Sequence, residues 1–189
     1  MQHLDLELHL NTRKDINELR LIRRCKEGDR SAQRKVFDLL APKMFALCKR
    51  YMKDRDAAED VLQEGFITLF SKLDSYSEEG SFEGWARRIF VNTALMSLRK
   101  SDLLKDANDL ETVQDTSPSD PQTYKDIGYN ELLALIDSLP DKFRIVFILS
   151  VIEGYSHKEI SEMLEITEST SRSQLQRARV MLQKKIKDR

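Results

Sequence analysis

The chain has 189 residues, of which 40% are hydrophobic and 33% are charged, and its formal net charge is −1. This length corresponds to one large domain or two small ones. The sequence contains no run of about 20 apolar residues, which excludes a transmembrane helix. The opening segment, MQHLDLELHLNTR, has acidic residues where a signal peptide needs an uninterrupted apolar stretch, so we expect a cytoplasmic protein.

Cysteine and histidine residues give no indication of a metal site or a catalytic site. Cys25 and Cys48 lie far apart and outside any CxxC motif, which favours reduced, buried thiols over a disulfide or a metal site. His157 is expected on the surface of a capped helix. We therefore predict no cofactor, no metal, no catalytic residue and no small-molecule substrate, and we do not expect an enzyme.

The first predicted segment is an N-terminal tail, residues 1–13. Its leucines alternate with polar residues, at Leu4, Leu6, Leu8 and Leu10. This alternation is typical of a half-buried strand, but a strand without a partner is not stable. We therefore expect a flexible tail and assign it no function.

Helical spacing of apolar residues predicts a first domain over residues 14–105. Its helices are predicted at residues 14–27, 30–52, 55–76 and 81–104.

The third predicted helix is apolar on one face and acidic over the remaining surface. The apolar stripe consists of Leu62, Phe66, Leu69 and Leu73. The polar surface consists of Asp56, Glu59, Asp60, Gln63 and Glu64. Such a surface fits a solvated face as well as a docking face. A glycine inside a helix costs about 1 kcal/mol relative to alanine, so Gly65 indicates the close approach of another helix.

The fourth predicted helix combines aromatic and basic residues. Arg88, Asn92 and Arg99 fall within about 40° of one another on a helical wheel, which makes a surface for phosphates and bases. Phe82 and Trp85 could stack against unpaired bases, or they could complete a core. We expect Phe82 in the core, and both interpretations stay open for Trp85.

Residues 106–127 form the next predicted segment, an acidic linker. It lacks apolar periodicity and contains Pro118 and Pro121, which is typical of a flexible connection. The segment from Ser101 to Asn130 contains seven acidic residues and two lysines, which gives it a net charge of −5.

The second predicted domain covers residues 128–189. Its helices are predicted at residues 129–138, 140–153, 156–164 and 168–187. Ser156 and Glu159 form the pattern of a capping box. The segment from Ser171 to Arg189 contains seven basic residues and one acidic residue. Its net charge of +6 suggests a nucleic-acid partner.

The last predicted helix has one apolar face and one basic face. Leu175, Ala178, Leu182 and Ile186 share the apolar face. Arg172, Ser173, Gln176 and Arg177 lie roughly opposite. A short capped helix, a tight turn and then this helix make a helix-turn-helix pattern, in which arginine can read guanine. Spacing alone also fits an ordinary helical hairpin with a solvated basic face.

The predicted fold is therefore all-α: two small helical domains joined by a flexible acidic linker, the C-terminal one a helix-turn-helix four-helix domain. Three segments in this order resemble bacterial RNA polymerase sigma factors of the extracytoplasmic-function type. They are DAAEDVLQEGFITLF, FEGWARRIFVNTALMSLRK and SLPDKFRIVFILSVIEGYSHKEISEMLEITESTSRSQLQRAR. The first matches the family pattern D-x-x-Q-[DE]-x-F, with Asp60, Gln63, Glu64 and Phe66 at its fixed positions.

The resemblance implies a function in transcription initiation. Asp60, Gln63, Glu64 and Phe66 would bind core RNA polymerase at the clamp of its largest subunit, and the C-terminal domain would meet the flap of the second-largest. The promoter −10 element would be melted and read by Trp85, Arg88, Asn92 and Arg99. The loop at residues 74–81 would capture a flipped base. The −35 element would be read by Arg172, Ser173, Gln176 and Arg177.

The resemblance also implies that the linker enters the active-site cleft of the polymerase. An anti-sigma factor is a further partner that it suggests.

The chain departs from the family pattern at three places. Met96 replaces a usual aspartate, which leaves the −10 preference open. Glu165 replaces the usual glycine of the turn before the last helix. Ser171 stands where the family often has a small hydrophobic residue, so we expect Ser171 to be less buried than usual.

Two other functions are considered. A helix-turn-helix transcriptional regulator that acts without core polymerase would explain the C-terminal helix, but not the D-x-x-Q-E-x-F helix or the acidic linker. A helical adaptor that binds only proteins would leave the arginine-rich outward face without a use. Salt-dependent binding of DNA, seen as a mobility shift, would exclude this adaptor.

Overall fold

The structure is a computed structural model that describes residues 17–100 and 128–188. Every regular element in these two ranges is helical, and neither range contains a strand, which confirms the all-α prediction. The chain divides into two compact units, Met1–Ala94 and Leu95–Arg189, and the division falls within one helix. The predicted tail, residues 1–13, and the predicted linker, residues 106–127, lie outside the described residues.

The N-terminal helices follow one another closely along the chain. Helix α1 is described over residues 17–26, and it is followed by α2 (Arg30–Tyr51), α3 (Arg55–Ser71), a 3₁₀ turn (Leu73–Ser75) and α4 (Phe82–Lys100). Carboxylates cap two of them: Asp29 accepts hydrogen bonds from the first amides of α2, and Asp54 accepts one in α3. The predicted third helix was too long, because α3 ends at Ser71 rather than at residue 76.

The ring of Phe66 is the centre of an aromatic cluster that joins α2, α3 and α4. Its centroid lies 4.5 Å from that of Phe37, 5.1 Å from that of Phe90 and 6.1 Å from that of Phe70. A Cβ atom at Gly65 would overlap the ring of Phe90. The predicted close approach at Gly65 is confirmed, and the helix that approaches is α4.

The C-terminal helices are α5 (Tyr129–Asp137), α6 (Asp141–Phe147), α7 (His157–Leu164) and α8 (Glu168–Lys187). Helix α6 continues into a π-helical turn, Ile148–Ile152, so the predicted helix at residues 140–153 is not α-helical throughout. Gly154 then ends the helical segment with a left-handed φ of 78°.

The core of this group lies where α6 and α7 pack against α8. Its fully buried residues include Ile145, Ile148, Ile160 and Ala178. At the start of α7 the predicted capping box is confirmed. Ser156 Oγ accepts a hydrogen bond from the Glu159 amide, and the Glu159 carboxylate accepts one from the Ser156 amide. The box fixes where α7 begins.

Candidate protein and nucleic-acid interfaces

The exposed face of α3 is acidic and has one apolar residue within it. Asp60, Gln63 and Glu64 are exposed, and Ile67 is 65% exposed. Positions 60, 63, 64 and 67 are spaced by three and four residues, so these four side chains share one face of the helix. Sequence reasoning missed Ile67, although its place one turn after Gln63 and Glu64 was a readable signal. An exposed isoleucine within charged residues provides apolar area for a protein partner.

Phe66 does not belong to this exposed face. Its side chain is only 5% exposed, because the ring is enclosed by the aromatic cluster with Phe37 and Phe90. We therefore correct its assignment as a polymerase-binding residue. Phe66 packs on the buried side of α3, away from the acidic face. Its contacts with Phe37 and Phe90 fix α3 against α2 and α4.

The second candidate surface runs along α4. Arg88 and Asn92 are exposed, Trp85 is half-buried, and Arg99 lies in the last turn of the helix. Met96, which takes the place of the usual aspartate, is 57% exposed. Its spacing of four residues from Asn92 puts it on the same face, so we add Met96 to this surface.

Three aromatic rings pack together at the N-terminal end of this surface, and Trp85 is one of them. The centroid of Tyr76 lies 5.2 Å from that of Phe82 and 5.3 Å from that of Trp85, and the last two rings are stacked 5.6 Å apart. Tyr76 and Phe82 are buried, as expected for Phe82, whereas Trp85 keeps part of its ring in solvent. Trp85 thus packs on the core while part of the side chain remains accessible, and its stacking against an unpaired base stays a prediction.

The third candidate surface is the start of α8. Thr167 caps this helix, its Oγ1 accepting a hydrogen bond from the Thr170 amide at 3.0 Å. Arg172, Ser173 and Gln176 are exposed and Arg177 is half-buried. The opposite face is buried at Leu175, Ala178 and Leu182. The outward face therefore carries the donors and acceptors that could meet a major groove.

An acidic side chain is paired with the first of these arginines. Arg172 Nη2 lies 2.5 Å from Glu168 Oε2, one turn earlier on α8, and both side chains are substantially exposed. A pair of this kind contributes little to stability. It holds the guanidinium of Arg172 beside Glu168 on the outer face of the helix.

The turn between α7 and α8 keeps the glycine-like geometry without a glycine. Glu165 has φ 58° and ψ 40°, the left-handed conformation, and its amide donates to the Ser161 carbonyl. This conformation costs an ordinary residue about 1–2 kcal/mol, a cost that the packing of α7 on α8 offsets. The departure at Glu165 therefore changes the side chain at the turn and leaves its backbone course intact.

Ser171 is fully buried, and the expectation that it would be less buried than usual was wrong. Its Oγ lies 2.9 Å from Nδ1 of His157, the first residue of α7, so its hydroxyl group has a hydrogen-bond partner. His157, which was expected on the surface of a capped helix, is half-buried and forms this bond. A buried hydroxyl requires such a partner.

Among the described residues, no helix is long and apolar enough to cross a membrane, and no cluster of three or more metal-ligating side chains occurs. Cys25 and Cys48 are buried free thiols. Burial raises the pKa of Cys48 to about 12, so this thiol stays protonated at neutral pH.

Two family profiles match the chain in the order that the sequence predicts. Residues 36–103 match sigma-70 region 2, and residues 129–182 match sigma-70 region 4. The α3 and α4 surfaces lie in the first match, and the start of α8 lies in the second.

Relatives are similar along nearly the whole chain. The chain is 30% identical over 179 residues to the ECF RNA polymerase sigma factor SigW of Bacillus subtilis, covering 88% of this chain and 95% of the relative. It is 29% identical over 177 residues to the ECF RNA polymerase sigma-E factor of Escherichia coli, covering 88% and 92%.

A solved structure supports the fold. The sigma factor RpoE of Bartonella quintana, solved with the anti-sigma factor NepR, aligns with a TM-score of 0.52 at 20% identity over 82% of this chain and 96% of the other. The two sigma-region matches, the full-length similarity and the helical fold agree. The chain belongs to the ECF RNA polymerase sigma factors.

Proposed function

We infer that this protein binds core RNA polymerase and directs it to promoters by reading a −10 and a −35 element. The observation that carries this inference is the ordered pair of sigma regions, each of which holds an exposed face suited to its task. The protein acts without a catalytic site of its own, in the cytoplasm where the polymerase works.

The acidic face of α3 is the proposed polymerase-binding surface. Asp60, Gln63 and Glu64 would bind basic residues on the clamp of the largest subunit, and Ile67 would add apolar contact at the C-terminal end of this face. An exposed isoleucine one turn after exposed acidic residues offers a protein partner both apolar area and charge.

The face of α4 is the proposed −10 surface. Trp85 offers a partly exposed ring for an unstacked base, and Arg88, Asn92 and Arg99 follow it along the helix. Stacking on an aromatic ring contributes about 1–3 kcal/mol per base. Opening the duplex would thus be driven by capture of unpaired bases and not by nucleotide hydrolysis.

The start of α8 is the proposed −35 surface, in which Arg172, Ser173, Gln176 and Arg177 enter the major groove. We assign residues 14–105 to the polymerase and −10 functions, residues 128–189 to the −35 function, and residues 106–127 to an acidic segment between them. An anti-sigma factor is a proposed regulator, because the structural relative described above was solved with one.

Run-off transcription with purified core polymerase and a genomic promoter library tests this function directly. Native protein should produce discrete transcripts, whereas polymerase alone should not. Asp60→Lys should weaken association with core polymerase by about tenfold or more, because it puts a cation where the partner is basic. Binding of the same variant to −35 duplex DNA should be unchanged.

Asp188→Lys, which makes the same charge change at the end of α8, serves as the control and should associate normally. Normal polymerase binding by Asp60→Lys would show that the docking face lies elsewhere. A palindromic footprint on DNA in the absence of polymerase would favour an ordinary helix-turn-helix regulator.

A further inference from the structure

Helix α1 lies before the sigma region 2 match, which begins at residue 36, yet it contacts the loop that leads into α4. The guanidinium of Arg23 meets the carboxylate of Glu78 with two hydrogen bonds. Nη2 donates to Oε2 at 2.8 Å, and Nε donates to Oε1 at 3.3 Å. A two-point contact between planar groups fixes orientation as well as distance.

A second contact joins the same face of α1 to the same loop. Lys26 Nζ donates to the backbone carbonyl of Tyr76 at 3.0 Å. Arg23 and Lys26 are three residues apart, so their side chains project from one side of the helix. Within the loop, the Tyr76 hydroxyl donates to the carbonyl of Gly80 at 2.8 Å. The segment from Tyr76 to Gly80 is therefore held at its start, its middle and its end.

The backbone of this segment needs to be held. Glu78 has φ 63° and Gly80 has φ 75°, both in the left-handed region. Glycine adopts this region readily, but glutamate does so at a cost and persists there where surrounding contacts impose it. The Arg23 contact is formed by the strained residue itself, and the Lys26 and Tyr76 bonds hold the residues on either side, so the three contacts together supply that constraint.

Helix α1 is firm enough to serve as the fixed side of these contacts. Ile22 and Cys25 are buried in the core. Arg24 Nε donates to Asp29 Oδ2 at 2.8 Å, and the other oxygen of Asp29 accepts from the Ser31 amide at the start of α2. The end of α1 is thus tied to the cap of the next helix.

We propose that Arg23 and Lys26 are positioning residues that hold segment 76–80 in the conformation that receives an unpaired base of the promoter −10 strand. This inference rests on the proposed function. Ser77, Glu79 and Gly80 are exposed within the held segment, and Tyr76 packs on the ring of Trp85. A loop that is ordered before DNA arrives does not lose its conformational freedom on binding, so the complex is tighter.

The test uses the full-length protein and two measurements. The first is acrylamide quenching of Trp85, the single tryptophan of the chain, without DNA. The second is binding of the holoenzyme to a fluorescent −10 single strand, with a −35 duplex as the reference. The variants are Arg23→Gln, Lys26→Met and the exchange Arg23→Glu with Glu78→Arg, which keeps the net charge of the native protein. Arg34→Gln, which breaks an exposed pair with Asp38 on α2, is the matched control.

Arg23→Gln and Lys26→Met should each increase quenching of Trp85 and weaken binding of the −10 strand about fivefold. Binding of the −35 duplex should stay the same. The exchange variant should recover most of both losses, which a general loss of positive charge would not allow. Arg34→Gln should behave as the native protein does.

Two results separate this inference from the function on which it rests. The positioning role would be overturned if Trp85 in Arg23→Gln were quenched no more than in the native protein. It would also be overturned if the exchange variant bound the −10 strand as weakly as Arg23→Gln does. If the native holoenzyme did not bind the −10 strand, the proposed function would be overturned instead. The quenching result would still decide whether Arg23 holds the loop.

Discussion

Nδ1 of His157 lies 2.9 Å from Oγ of Ser171, and this contact joins the first turn of α7 to the first turn of α8. Ser171 is completely buried between the two helices, so its hydroxyl has no access to water. The bond fixes the angle at which α8 leaves the turn, because it connects the two helix starts independently of the backbone at Glu165.

Ser171→Ala should lower the free energy of unfolding by about 0.5–1.5 kcal/mol, the usual net contribution of one hydrogen bond, and His157→Ala by about 1–3 kcal/mol, because it leaves the buried Ser171 hydroxyl unpaired. The double variant should lose much less than the sum, since both changes remove the same bond. Urea denaturation of the four proteins measures this coupling. Strictly additive losses would mean that the contact does not contribute to stability.

Gly65→Ala should destabilise the protein, because the added Cβ overlaps the ring of Phe90. Overpacking costs about 1–3 kcal/mol, and the better helix propensity of alanine offsets about 1 kcal/mol of that. Thermal or urea unfolding measures the difference in the free energy of unfolding between Gly65→Ala and the native protein. Phe90→Leu should relieve the overlap, so the two changes together should lose less than their sum.

Gly84→Ala on α4 is the matched control for Gly65→Ala. A Cβ at Gly84 would meet its nearest neighbour, Ser81 Cβ, at 3.7 Å, which is ordinary van der Waals contact. This variant should be as stable as the native protein or slightly more stable. Equal destabilisation by both alanines would show that crowding against Phe90 is not the cause.

Arg172→Ala should lose selectivity at one or two base pairs of the −35 element, by about 1–3 kcal/mol for each well-formed base contact. Binding assays on a set of single-base variants of the −35 duplex provide the measurement. Lys187→Ala, at the last turn of α8, should retain the native base preferences. A uniform loss of affinity for all sequences by Arg172→Ala would assign Arg172 to phosphate contact instead.

Acid should weaken the N-terminal helices through two carboxylates. Hydrogen bonds from Arg23 hold the pKa of Glu78 below its ordinary value, and Arg24 with the α2 amides does the same to the pKa of Asp29. A lowered folded-state pKa stabilises the protein at any pH above the unfolded-state value, which for these groups is about 4. That stabilisation disappears as the pH falls through the lower, folded-state pKa.

The measurement is the midpoint of urea unfolding between neutral pH and about pH 3. Asp29→Asn combined with Glu78→Gln should be less stable than the native protein at neutral pH, and the difference should shrink below about pH 4. A constant difference across that range would show that neither carboxylate titrates with folding.

Much of the fold was readable because helices leave a local periodic signal. The apolar spacing that predicted α8 over residues 168–187 agrees with the helix observed, and the capping box at Ser156 was predicted from two residue types alone. Helix ends without such a cap were less predictable. The end of α3 at Ser71 and the π-helical turn after Phe147 were both missed.

The sequence by itself determined which helices form and which faces of them are acidic or basic, because periodicity and charge are properties of neighbouring residues. Periodicity had already placed Phe66 on the apolar stripe, but only the tertiary structure showed which rings enclose it, because Phe37 and Phe90 belong to other helices. The tertiary structure also decided that His157 meets Ser171 and that Arg23 meets Glu78. Those pairs lie 14 and 55 residues apart, and only the packing of separate helices brings them together.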